Sequence, residues 1–203
     1  MSKKATYHHG DLRAALLKAA AEEIELNGYE TLSLRELATS LDVSRAAPYR
    51  HFPDRRALLA TLATEGFEQL IAMYRAAAAS TKSPEAKLKV AGLGYLELAT
   101  KRPQLFRLMF ASDLFGGNEP LDPNLAETAF QSYQLFESMV ADALGHPDIR
   151  TVKATTIAAM SATYGFALLR MGARLQPFMV GDLSERQLVD AVLSLRPSKP
   201  RNM

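Results

Sequence analysis

The sequence predicts an all-α protein of about nine helices, and three observations carry that expectation. Apolar residues recur at three- and four-residue steps in one segment after another. No stretch alternates apolar and polar residues as a half-buried strand would. Segment starts carry Ser or Asp followed by Pro, and several segment ends carry Gly, the punctuation of helices.

The first helix places Leu12, Ala15, Leu16, Ala19, Ala20 and Ile24 on one face, and Asn27-Gly28 closes it. Ser33 and Glu36 have the spacing of a capping box at the start of a short second helix that buries Leu34, Leu37, Ala38 and Leu41. Asp42-Val43 makes a tight turn. A third helix opens at the N-cap residue Ser44 and stops near His51-Phe52-Pro53, because Pro53 disfavours helical backbone at Phe52. Pro48, at the fourth position of that helix, removes a backbone donor, so an irregular or tightened first turn is expected. Asp54 caps a long fourth helix through Leu58, Leu59, Leu62, Phe67, Leu70, Ile71 and Tyr74 to about Ser80.

Ser83-Pro84 starts a fifth helix that runs to about Arg102, and Pro103 starts a short sixth, Gln104 to Phe110. Gly116 to Pro120 is the strongest loop signal, and Asp122-Pro123 begins a seventh helix to Leu144, closed by Gly145. Asp148 to about Arg174 carries an apolar stripe from Ile149 through Leu168 to Leu175. The last helix runs from about Ser184 to Leu195, ahead of a polar tail, Arg196 to Met203. Residues 1–53 are read as an N-terminal three-helix domain, 54–80 as a connecting helix and 81–203 as a C-terminal helical bundle.

Composition narrows the function classes. With 203 residues and 48% hydrophobic content the chain is long enough for a real core, and it is not disordered. The absence of cysteine removes disulfide scaffolds, thiolate metal sites and cysteine nucleophiles together. The longest charge-free stretch, Ala154 to Leu169, is too short and polar to span a bilayer, and Met1 to Gly10 has no apolar leader segment, so a soluble cytoplasmic protein is expected with no membrane partner. No metalloprotease motif, phosphate-binding glycine loop or dinucleotide fingerprint occurs, so neither an enzyme nor a cofactor is expected; His8, His9 and Asp11 lack the spacing of a metal site.

Charge distribution says more than its total. The net charge is only +2, yet Ser44 to Arg56 holds Arg45, Arg50, Arg55 and Arg56 against the single acid Asp54, a local excess larger than that of the whole chain. Two short helices meeting at a tight turn just ahead of that excess form a helix-turn-helix pattern, whose second helix would present Arg45, Tyr49 and Arg50 to a major groove. An αα-hairpin with solvated arginines is the alternative.

The motifs Leu34-x-x-Leu37-Ala38, Val43-Ser44-Arg45, Tyr49-x-His51-Phe52 and Asp54-Arg55-x-x-Leu58-Leu59 resemble the DNA-binding domain of the TetR family of bacterial transcription regulators. Tyr7-His8-His9-Gly10-Asp11-Leu12 and Ala46 to Phe52 resemble a subgroup named for a Trp-His-Gly motif in its C-terminal domain; this chain has Tyr164-Gly165 where that subgroup has His-Gly, and it has no Trp. The resemblance implies a homodimer on a pseudo-palindromic double-stranded operator, acting as a repressor released by a small apolar effector. It implies DNA contacts from Ser33, Ser44, Arg45, Ala46, Ala47, Tyr49, Arg50, His51 and Arg55, with Lys3 and Lys4 as an arm. Each of these also has a plain surface reading, and His51 a structural one.

Apolar and aromatic residues dominate the C-terminal half, which suits an adaptable pocket. Met73, Phe106, Arg107, Phe110, Phe130, Tyr133, Met160 and Tyr164 are the expected ligand-binding residues, and core packing is the alternative for most. Ile149, Val152, Leu168, Met171, Leu188, Val192 and Leu195 are the expected dimer face, although the same stripes suit burial within one subunit. A helical small-molecule-binding or adaptor protein without DNA binding is the alternative function.

Overall fold

The computed structural model describes residues 12–80 and 83–194. Among the described residues the chain forms nine α-helices and no strand: α1 (Leu12–Asn27), α2 (Leu34–Ser40), α3 (Arg55–Ser80), α4 (Pro84–Lys101), α5 (Pro103–Ala111), α6 (Pro123–Leu144), α7 (Ile149–Met171), α8 (Pro177–Val180) and α9 (Glu185–Leu193). Local signals set most of these boundaries. Asp54 accepts a hydrogen bond from the Ala57 amide at 2.8 Å and Asp122 one from the Leu125 amide at 2.9 Å, while Asp148 accepts from the amides of Arg150 and Thr151. Pro84, Pro103, Pro123 and Pro177 each occupy a first helical position, where no amide donor is missed.

Four details differ from expectation. The third predicted helix is not an α-helix: Pro48–Arg50 is a 3-10 turn and Ser44 to Ala47 are tight turns. Pro48 has no amide to give the Ser44 carbonyl, which takes the Ala47 amide at 2.9 Å instead. The Arg50 amide then donates to Ala47 and the His51 amide to Pro48, so the segment continues mainly with three-residue spacing. The ninth helix is instead α8, a single turn that Pro177 initiates. Ser33 takes the N-cap position of α2 in extended backbone, but its hydroxyl makes no cap bond; the capping box forms at α9 between Ser184 and Gln187. The α7 helix stops at Met171, before Arg174, because Ala173 turns left-handed (φ 49°) and the Arg174 amide folds back to the Leu169 carbonyl at 2.9 Å.

The turn after α2 is a helix-terminating motif of the same kind. Asp42 adopts φ 53°, its amide donates to Thr39 and the Val43 amide to Ala38. An aspartate tolerates this left-handed backbone better than most residues. The exit direction from α2 is thereby set before the basic segment begins.

The chain divides into two compact units. One takes the chain up to Glu65 together with Gln104–Leu125, so α5 and the loop after it belong with the N-terminal helices. Leu16, Ile24, Phe52, Leu58, Leu62, Phe106, Leu108 and Met109 form its innermost layer. Polar clamps add to this core. The Glu25 carboxylate of α1 accepts hydrogen bonds from the Gln104 and Leu105 amides, both at 3.1 Å, and so caps α5 from outside its own helix. The Arg56 guanidinium donates to the Leu114 carbonyl at 3.1 Å and pairs with Glu119 at 3.2 Å and Asp113 at 3.9 Å.

The other unit comprises Gly66–Pro103 and the chain from Ala126. Its α4 packs on α7, and α9 closes on both. Gly92 lies so close to the Leu193 side chain that a β-carbon there has no room, which lets α9 approach α4. Tyr74 stacks on Phe136 with ring centroids 5.6 Å apart.

Phe52 lies directly after the basic turn and is 2% exposed, under the Arg13 guanidinium at 5.3 Å. Phe52→Ala is expected to destabilise the protein by about 3–5 kcal/mol in urea unfolding, as a large buried aromatic requires; a change under ~1 kcal/mol would show that Phe52 does not anchor the segment.

Candidate nucleic-acid interface

The basic turn has an inner and an outer side. Pro48 and Phe52 point in and are buried. Ser44, Arg45, Ala46, Tyr49, Arg50 and His51 are exposed, with Tyr49 at 45%, and Ala47 is half-buried. Among the described residues neither Arg45 nor Arg50 is in an ion pair, and His51 makes no side-chain hydrogen bond, so it is a surface residue rather than a buried structural one. One short face therefore presents two unpaired guanidinium groups and a phenol beside small side chains that allow close approach.

The remaining two arginines of the segment do other work. Arg55, the first residue of α3, turns its guanidinium onto the loop between α1 and α2. Its Nε donates to the Leu32 carbonyl at 3.0 Å and its Nη2 to the Tyr29 carbonyl. Those carbonyls belong to the first residue of the 3-10 turn Tyr29–Thr31 and to Leu32 just after it, which precedes the half-buried Ser33. Arg55 thus ties the start of α2 to the start of α3 across the basic turn. Arg56 is neutralised by Asp113 and Glu119. Neither role was visible in the sequence, because the partners lie more than 20 residues away for Arg55 and more than 50 for Arg56.

The expected ligand-binding residues fall in different units. Phe106 is fully buried and packs on Phe110 at 4.9 Å between centroids, with Arg107 exposed on the same helix, all in the unit that carries the basic turn. Met73, Tyr133, Met160 and Tyr164 are half-buried in the other unit, and Phe130 is exposed there. Tyr133 is engaged: its hydroxyl donates to Glu137 at 2.7 Å, and Lys153 donates to the same carboxylate at 3.1 Å. Burial, reinforced by the Glu137 carboxylate, pushes the Tyr133 phenol up to about 12, while the Tyr133 hydrogen bond and then Lys153 hold Glu137 below its ordinary range. A cleft of about 450 Å³ between Ser83, Leu88, Val140, Leu144, Thr155 and Leu193, and a wider charged one bordered by Lys89, Glu97, Arg170 and Arg186, take no wall from the expected set.

Of the expected dimer face, Ile149 and Leu168 are exposed, Met171, Leu188 and Val192 are half-buried, and Val152 is buried within the chain. Leu195, with Lys3, Lys4 and the His8-His9-Asp11 cluster, lies outside the described residues. Ile157, Phe178, Met179 and Leu183 are large exposed apolar residues that the sequence reading did not assign to a surface. No group of three metal-ligating side chains occurs among the described residues, and no helix among them is long and apolar enough to cross a membrane.

Comparison with known proteins accords with this geometry. The model for bacterial regulatory proteins of the tetR family matches residues 16–62, and a tetracyclin repressor-like C-terminal domain matches residues 88–193. A nucleoid occlusion factor, SlmA, of Marinobacter nauticus is 25% identical over 170 residues, covering 82% of this chain and 83% of its own. A protein of unknown function from Rhodococcus sp. RHA1 superposes with a TM-score of 0.78 at 29% identity, over 94% of this chain and 95% of that one. The transcriptional regulator FadR of Bacillus subtilis, solved in complex with stearoyl-CoA, has the same fold, with a TM-score of 0.65 at 15% identity over 90% and 98% of the two chains.

The Arg55 clamp has a measurable signature. Arg55→Ala is expected to lower stability by about 1–3 kcal/mol, and Arg55→Lys to restore less than half of that, because an ammonium cannot serve both carbonyls in a fixed fork. Equal stability of all three proteins in denaturant unfolding would contradict the clamp.

Proposed function

The chain belongs to the tetR family of bacterial regulatory proteins and carries that family's DNA-binding domain, and from that premise we propose that it is a cytoplasmic transcriptional repressor, acting as a homodimer on a pseudo-palindromic operator and released by a small apolar effector. The observation that carries the DNA reading is the outward face of residues 44–51. Arg45 and Arg50 reach guanine edges or phosphates, Tyr49 donates to a phosphate, and Ala46 and Ala47 let the backbone approach and meet a thymine methyl. Ser33 and Ser44 add hydroxyl contacts. Arg55 contributes chiefly by holding the two helix starts in place, with His51 at the rim.

The dimer supports two-groove binding. Ile149, Ile157 and Leu168 on α7, with Phe178 and Met179 beyond it, leave apolar surface on one unit, and a second copy is its occupant in this reading. Leu188 and Val192 of α9, which packs on α7, are half-buried. Release by an effector requires preferential binding to a conformation whose basic turns are wrongly spaced for successive grooves. The α3 helix is continuous from Arg55 to Ser80, so a shift felt at its far end moves the Arg55 clamp. A FadR bound to stearoyl-CoA in the same fold supports an effector with a large apolar part.

On a duplex selected in vitro, affinity is expected to fall with salt at a log–log slope of about −5 if six phosphates are neutralised by the dimer, and Arg45→Ala is expected to cost about 1–3 kcal/mol if it reads a base. A flat salt dependence overturns the DNA reading. The parent protein is expected to sediment as a dimer without DNA, and Ile157→Glu with Leu168→Glu as a monomer; a monomeric parent overturns the two-groove arrangement.

A further inference from the structure

A cleft of about 720 Å³ opens between α4, α7 and α9, all within the unit formed by Gly66–Pro103 and the chain from Ala126. Small organic ligands occupy spaces of that size. Its apolar wall is made by Leu93, Leu96 and Val189, of which the last two are buried and Leu93 is 43% exposed. Its rim carries four cations and three carboxylates from the same three helices.

Three of the cations are already matched. Lys89 of α4 pairs with Asp190 of α9 at 2.6 Å, Lys101 pairs with Glu97 one turn before it, and Arg170 of α7 pairs with Glu185 of α9. Arg186 is the cation left over. It is exposed at the second position of α9, and its side chain makes no ion pair or hydrogen bond among the described residues. The carboxylate one turn on, Asp190, is held below its ordinary range first by the Lys89 hydrogen bond and least by the more distant Arg186. A cation four residues ahead of an acid is also the weaker order for a helical pair.

The cleft therefore holds one positive charge in excess, on a planar guanidinium whose donors are free, beside exposed apolar surface. Its low-dielectric walls concentrate the field of that charge. A guanidinium fork matches a carboxylate in a bidentate pair, and a single carboxylate balances the excess. A cationic ligand would meet the excess charge unopposed.

The proposed dimer leaves this cleft open. Ile157 and Leu168 lie three turns apart on one face of α7. Arg170 follows Leu168 by two residues, about 200° round the helix, and shares the side of the buried Phe166, whose ring its guanidinium covers at 5.9 Å.

We propose that the cleft between α4, α7 and α9 binds an amphipathic monocarboxylate, with the carboxylate on Arg186 and the apolar body along Leu93, Leu96 and Val189. This goes beyond the regulator reading and does not depend on DNA binding.

The test titrates the full chain with three fluorescent probes of one size: 2-naphthoate, neutral 2-acetylnaphthalene and cationic 2-naphthylmethylammonium. Naphthoate is expected to bind about threefold to tenfold tighter than the ketone, the range of one charge-assisted pair at a partly exposed site, and the ammonium more weakly than either. The preference is expected to shrink between about 0.05 and 0.5 M salt, as screening of an open site requires. Arg186→Gln is expected to abolish the preference while leaving ketone affinity within about twofold. Arg75→Gln removes an exposed cation of α3 outside the cleft and is expected to keep the preference. Equal binding of naphthoate and ketone, a preference that survives Arg186→Gln or falls equally in Arg75→Gln, or no saturable binding of any probe overturns the proposal. The comparison among probes on the parent protein stands even if a variant misfolds.

Discussion

Pro48 has no amide hydrogen, and the arrangement of the DNA-binding unit follows from that. A recognition helix normally supports its own shape through its backbone ladder. Here the Ser44 carbonyl takes the Ala47 amide, and the segment is a run of tight turns instead. Such a run propagates no order, so its position has to come from its two ends and its buried side. Asp42 sets the entry direction, Pro48 and Phe52 bury the inner side, and Arg55 ties the exit to the loop before α2. The outer side is left with Arg45, Tyr49, Arg50 and His51.

That division of labour narrows the electrostatic footprint. Four arginines within a short basic segment read as one patch, but two of them satisfy the protein itself. Arg55 replaces part of the hydrogen bonding that the helix would have supplied. Arg56 fastens the loop after α5 through Leu114, Asp113 and Glu119, which brings residues remote in sequence into the same compact unit as the basic turn. The free positive charge then sits on the two guanidinium groups that face out, a pattern suited to positioned contacts rather than diffuse attraction.

The legible parts of the fold were those written locally. Asp54, Asp122 and Asp148 with their neighbouring prolines placed three helix starts, and the segment from Leu34 to Leu59 carried both the fold of the unit and its family. Signals that depend on remote partners stayed hidden. Ser33 has the spacing of a capping box, yet its hydroxyl is unused, because spacing does not orient a side chain. Glu25 caps α5 from 79 residues away, which no pattern within either helix reveals. On α7, Val152 reads like Ile149 and Leu168, but one is buried and the others exposed, since that helix has apolar residues around most of its circumference.

In the proposed complex, the outer face of the turn from Ser44 to His51, held by its neighbours, is the surface that meets DNA. Amide hydrogen exchange on the full chain, with and without a selected duplex, tests it most directly. Exchange is expected to slow on adding duplex in Arg45 to Phe52 and at the start of α2, with little change in α4 and α9. Protection confined to α4, α7 or α9, with residues 44–52 exchanging as in the free protein, would contradict it.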